Sequence, residues 1–152
     1  MKLATALSER ADIQRRLAQL QTRLNNNAKV QEGEEPAEDP NALLKELDGL
    51  LVRLEWLMAR INLTNSATVS GGKTMTELLA RREVQSKRLT TMRSFLDNAS
   101  AKVDRYSQKE IKILSTVKVT QLQKQVDAIS KELRELDEQI QSLNWTTELL
   151  EN

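Results

Sequence analysis

Val119, Leu122, Val126, Ile129, Leu133, Leu136, Ile140 and Leu143 follow one another at alternating steps of three and four. That spacing holds one face of a helix toward a partner and predicts a long helix starting at Val119. Thr147 and Leu150 continue the stripe, and Asn144-Trp145-Thr146 either breaks the helix or faces another subunit. Leu43, Leu47, Leu50, Leu54, Leu57 and Ile61 show the same rhythm, with Leu44, Leu51 and Met58 as a second row. A stripe that wide meets more than one neighbour. Asp39 and Pro40 supply the cap and the first helical residue of this element. Leu3, Ala6, Ile13, Leu17, Leu20 and Leu24 predict a first helix over about 2–25, with Arg10 in the same register. Leu78, Leu89, Met92, Leu96, Ala99, Val103 and Tyr106 predict a third, roughly 32 residues and 48 Å long at 1.5 Å per residue. It opens on the capping box Thr74-Met75-Thr76-Glu77, and Arg82 and Gln85 interrupt its stripe.

Between these helices lie three irregular stretches. Residues 65–73, NSATVSGGK, turn through Gly71 and Gly72, which adopt positive φ readily. Residues 25–40, NNNAKVQEGEEPAEDP, and residues 107–119, SQKEIKILSTVKV, each contain a short apolar alternation. Because a lone strand leaves its backbone unpaired, 28–31 and 111–117 are expected to form a small two-stranded ribbon. The expected fold class is therefore all-α, four long antiparallel helices in a bundle or coiled-coil arrangement plus that ribbon, as a single domain over 1–152.

Composition narrows the chemistry. Of 152 residues 30% are charged and 3% aromatic, the profile of long helices. Net charge is +1, which gives no general pull toward nucleic acid or anionic lipid. There is no Cys and no His, which removes disulfides, thiolate chemistry, imidazole bases and most transition-metal sites. Any metal would be a hard cation on carboxylates. The N-terminal apolar run is broken by Ser8, Glu9 and Arg10, unlike a signal peptide, and a cytoplasmic protein is expected.

Four patterns invite chemistry. The acids Glu32, Glu34, Glu35 and Glu38 precede Asp39 on a loop, a weak candidate for a divalent metal, although the spacing matches no EF-hand. SGGKT at 70–74 resembles the end of a phosphate-binding loop but lacks its first glycine and a preceding strand. Glu132, Glu135 and Glu138 repeat every three residues, with Lys131 and Arg134 interleaved as on an exposed ion-paired face. Arg10, Arg15, Arg16 and Arg23, and Arg81, Arg82, Lys87, Arg88 and Arg93, make basic faces without aromatic residues for base stacking. The first 29 residues carry six bases and two acids, whereas residues 30–40 carry five acids and no base. This asymmetry suggests an acidic loop of one subunit docking on basic helices of another, with Arg10, Arg82, Glu32, Glu34, Glu35 and Trp145 as assembly residues.

The segments MKLATALSERADIQRR, NNNAKVQEGEEPAEDP, INLTNSAT, TELLARR, VDRYSQKEIKILSTV and NWTTELL resemble a family of small bacterial proteins labelled septicolysin or uncharacterised. The resemblance covers nearly the whole chain. It implies long antiparallel helices and a homo-oligomer, a hexamer among the options, and it carries over no catalytic residue. The label also implies a cytolysin, although the chain offers no pair of roughly 10-residue alternating strands.

The sequence thus points to a self-assembling structural or interaction protein. The alternatives are a pore former and a carboxylate-dependent metal-binding protein. No cofactor, small-molecule ligand, nucleic acid or membrane partner is expected, and no enzymatic activity is indicated.

Overall fold

The computed structural model describes residues 1–101 and 111–152. The order of elements is α1 (Leu3–Asn26), α2 (Pro40–Ala67), β1 (Val69–Ser70), β2 (Lys73–Thr74), α3 (Met75–Ser100) and α4 (Val119–Thr146). Among the described residues the fold is all-α, with four helices as the periodicity predicts and one small antiparallel ribbon. It divides into two units, one of Met1–Met75 with Gln141–Asn152 and one of Thr76–Ile140.

In the first unit α1 and α2 form an antiparallel hairpin. As the α1 partner moves from Glu9 to Arg23, its α2 partner moves back from Arg53 to Glu46. Leu3, Ala6, Ile13 and Leu20 of α1 are buried, as are Leu43, Leu50, Leu57 and Ile61 of α2. Each such leucine or isoleucine removes apolar surface worth roughly 1.5–3 kcal/mol. The Asp39 carboxylate accepts from Asn41 N at 3.0 Å, so one free N–H of the first α2 turn is satisfied where Pro40 starts the helix.

The two chain ends meet in this unit. Leu3 N donates to Thr147 O and Leu149 N to Met1 O, at 2.9 and 2.8 Å. Between them Lys2 bridges Glu148 in backbone pairing and by an ion pair. Leu149 is buried. The helical stripe of α4 therefore does not run on through Thr147 and Leu150. The helix continues past Asn144 and Trp145, stops at Thr146, and gives way to an extended segment because its backbone pairs with residues 1–3.

In the second unit α3 and α4 run antiparallel, from the Arg82–Asp137 pair to the Arg93–Ser130 pair. Leu89, Leu96, Leu122 and Val126 form its core, with Met92, Val117, Ile129 and Leu133 packed around them. Except for Val117, which the alternation assigns to the ribbon, these are the stripe positions read from the sequence. Val103 and Tyr106, placed in the same stripe, lie outside the described residues.

The ribbon is not where the alternation placed it. Residues 28–31 and 111–117 are irregular, and the pairing is Val69 with Thr74 and Ser70 with Lys73. Gly71 and Gly72, at φ +58° and +80°, form the two-residue turn between them. Two positive-φ residues match the natural twist of a hairpin, which only glycine-like residues supply cheaply. Residues 25–34 meet their needs locally instead: Ala28 N donates to Asn25 O and Glu34 N to Gln31 O, around Gly33 at φ +86°. Ile111, Ile113 and Leu114 are 74%, 65% and 77% exposed, so their alternation buries no face.

Candidate functional site

The acidic loop between α1 and α2 is clamped at both ends. Asn27, 8% exposed, donates from Nδ2 to Arg23 O at 2.8 Å and accepts at Oδ1 from Glu38 N at 3.0 Å. Arg23 then grips the Glu38 carboxylate, from Nε at 3.2 and 3.1 Å and from Nη2 at 2.6 Å. This fork holds the Glu38 carboxyl below its ordinary range, against a small opposing effect of burial. Glu46 adds a second acid at 3.6 Å from Arg23. Glu38 is thereby engaged by a guanidinium. Glu32, Glu34 and Glu35 are exposed. Among the described residues no three carboxylates converge as a metal site would require. The loop borders a shallow, open depression lined by Asn27, Val30 and Pro36.

The other motifs also resolve into structure. Gly71 and Gly72 of SGGKT are the ribbon turn, and α3 begins one residue after Thr74. In the second unit Glu132 lies against α3: Arg81 donates to it at 3.0 and 2.7 Å, and Gln85, 2% exposed, at 2.9 Å. These bonds, Arg81's first, hold the Glu132 carboxyl below its ordinary value despite partial burial, and the nearby Arg88 charge adds to the effect. Glu135 pairs with Lys131 at 3.9 Å along the same helix. The residues that interrupt the α3 stripe are thus interhelical. Gln85 fills a seam position and Arg82 reaches Asp137 at 3.0 Å. Beside them an open groove of about 1160 Å³ runs between the helices, with Ser86, Thr90 and Arg134 on its walls.

Of the expected assembly residues, Arg82 is satisfied within its own unit. Arg10 is half-buried and makes no ion pair among the described residues, and Trp145 is 65% exposed. The sequence reading gave less weight to the outer face of α2. Leu44, Leu51 and Met58 are 46%, 44% and 46% exposed, with Val52 and Leu63 at 70% and 50%. The second apolar row signals this face in the sequence, and Asp48 and Glu55 beside it are also exposed. Over Leu44–Leu63 the row spans about 30 Å at 1.5 Å per residue. No helix among the described residues is long and apolar enough to cross a membrane.

Comparison with known proteins adds fold and family. A crystal structure of a functionally unknown conserved protein from Corynebacterium diphtheriae is 43% identical and superposes with a TM-score of 0.92, covering 99% of each chain. No curated protein matches. Neither the solved structure nor the matching family carries the septicolysin name. Residues 10–149 match the family described as "Family of unknown function (DUF6847)", and the chain belongs to that family.

Proposed function

We propose that this protein is a self-assembling structural or interaction protein, and that the outer face of α2 is the surface through which copies meet. The observation that carries this reading is the row Leu44, Leu51 and Met58, seven residues apart and nearly half exposed, widened by Val52 and Leu63. Isolated apolar residues on a surface are ordinary, whereas an aligned row along a helix marks an interaction site. The seven-residue interval is the repeat by which one helix packs along another.

Native mass spectrometry of the untagged protein, with and without EDTA, tests the reading. The expected result is a single oligomer whose mass is an integer multiple of the chain and does not respond to EDTA. Met58→Glu is expected to shift it toward monomer. A monomer in the unmodified protein would sink the proposal. An extra mass lost with EDTA would move the function to the carboxylates of the acidic loop. Release of dye from liposomes would move it to the pore-forming alternative.

A further inference from the structure

We infer that the partner of the α2 face is a different face of a second copy, an exposed flank of α3, so that the contact is heterologous. This rests on the assembly reading above. Along α2 the positions 44, 48, 51, 55 and 58 advance by four and three, and so lie on one stripe. Asp48 and Glu55 therefore stand inside the apolar row, between Leu44, Leu51 and Met58. Both are exposed and neither forms an ion pair among the described residues. The acids of the same unit that face arginine are engaged: Glu9 with Arg53, Asp12 with Arg15, Glu38 with Arg23, and Glu46 with Arg16 and Arg23. A wholly apolar partner would bury Glu55, at the middle of the lower half of the stripe, without a counter-charge. A second α2 stripe would bring only further carboxylates. The face calls for a helix with a basic group set among apolar ones.

One exposed flank of α3 has that composition at the same step. Positions 84, 88, 91 and 95 advance by four, three and four, and hold Val84, Arg88, Thr91 and Phe95. Val84 is 59% and Phe95 45% exposed. Arg88 is exposed and, although its charge is felt at Glu132, it forms no ion pair of its own among the described residues. By contrast Arg81, Arg82 and Lys87 each hold an acid. The α2 stripe reads apolar, acid, apolar, acid, apolar, and the α3 stripe reads apolar, base, small polar, aromatic. Because the two faces differ, each copy offers one of each, and such contacts close into a ring or extend as a filament instead of stopping at a two-fold dimer.

Charge reversal tests the pairing by analytical ultracentrifugation of the full chain, with circular dichroism to confirm that each variant folds. Glu55→Arg and Arg88→Glu, each alone, are expected to weaken self-association at least about tenfold, because like charges then face each other. Mixing the two variants in equal amounts is expected to restore association, since Arg at 55 of one then meets Glu at 88 of the other. Placing both changes in one chain is expected to restore it as well. Single variants that associate like the unmodified protein, or a mixture that stays weak, would overturn the α2–α3 pairing while leaving assembly itself standing. An unmodified protein that remains monomeric would instead overturn the assembly reading.

Discussion

The Thr64 hydroxyl accepts the backbone N–H of Leu150, 86 residues further along the chain, at 2.9 Å. The same hydroxyl donates to Arg60 O at 2.8 Å, and Thr64 is 1% exposed. One side chain thus uses both its donor and its acceptor, and ties the C-terminal segment to the last turns of α2. Thr64→Val keeps the shape and removes both bonds. It is expected to destabilise by about 1–2 kcal/mol, with Thr64→Ser nearer the unmodified protein. Thermal unfolding measures the loss, and faster hydrogen exchange at the Leu150 amide would assign it to this bond.

Gln85 is the buried polar group of the α3 seam, 2.9 Å from the Glu132 carboxylate. Gln85→Glu replaces that hydrogen bond with two facing carboxylates. One of the two is then pushed above its ordinary range. The variant is expected to be about 1–3 kcal/mol less stable at pH 7, with the deficit shrinking as the solution is acidified and the pair takes up a proton. Urea titrations at pH 7 and pH 5 check this. An equal deficit at both would mean that the pair does not share a proton.

The helices were legible because their stripes are long and their ends are marked. Asp39-Pro40 starts α2, and Val119 opens an unbroken three-four alternation in α4. The ribbon was misplaced because β-branched alternation at 111–117 looks like a strand only if a face is buried there. The true hairpin is two residues on each side of Gly71-Gly72, too short for any periodicity, and the glycine pair was its signal. The sequence leaves the end of α4 open, at Asn144-Trp145-Thr146 or beyond Leu150, because Thr147 and Leu150 fit either a helix or an extended segment. What decides is the backbone pairing with Met1 and Leu3, which is a relation between distant residues. For the same reason no local pattern shows Arg23 and Asn27 reaching forward to Glu38.

Glu9, Glu38, Glu132 and Glu148 are all held below the ordinary carboxylate value of 4.5, chiefly by hydrogen bonds from Arg53, Arg23, Arg81 and Lys2 respectively. A carboxyl whose value is lower folded than unfolded contributes stability above its unfolded value, and loses it as pH falls through the folded one. Stability is therefore expected to hold down to about the ordinary carboxylate range and then to fall steadily with acid. Arg53→Met removes the main cause of the Glu9 shift. Its stability is expected to depend less steeply on pH below 4.5, which denaturant titrations across pH 5 to 2 would show.

Leu50 and Leu51 separate folding from association. They are neighbours in α2, yet Leu50 is 8% exposed and Leu51 44%. Leu50 faces the α1 hairpin core, where a carboxylate finds no water and no partner. Leu50→Glu is expected to lower stability by several kcal/mol and to melt the first unit. Leu51→Glu places the same charge on the outer stripe, where water reaches it, and the chain is expected to keep its helical content and unfold within about 1 kcal/mol of the unmodified protein at low concentration. Its self-association is where the change should appear, since the charge would be buried beside Asp48 and Glu55 when copies meet. Circular dichroism and sedimentation on the pair of variants read the two effects separately. If Leu51→Glu sediments as the unmodified oligomer does, the outer α2 face is not the contact. If it unfolds as Leu50→Glu does, the face serves the fold of the single chain and not its assembly.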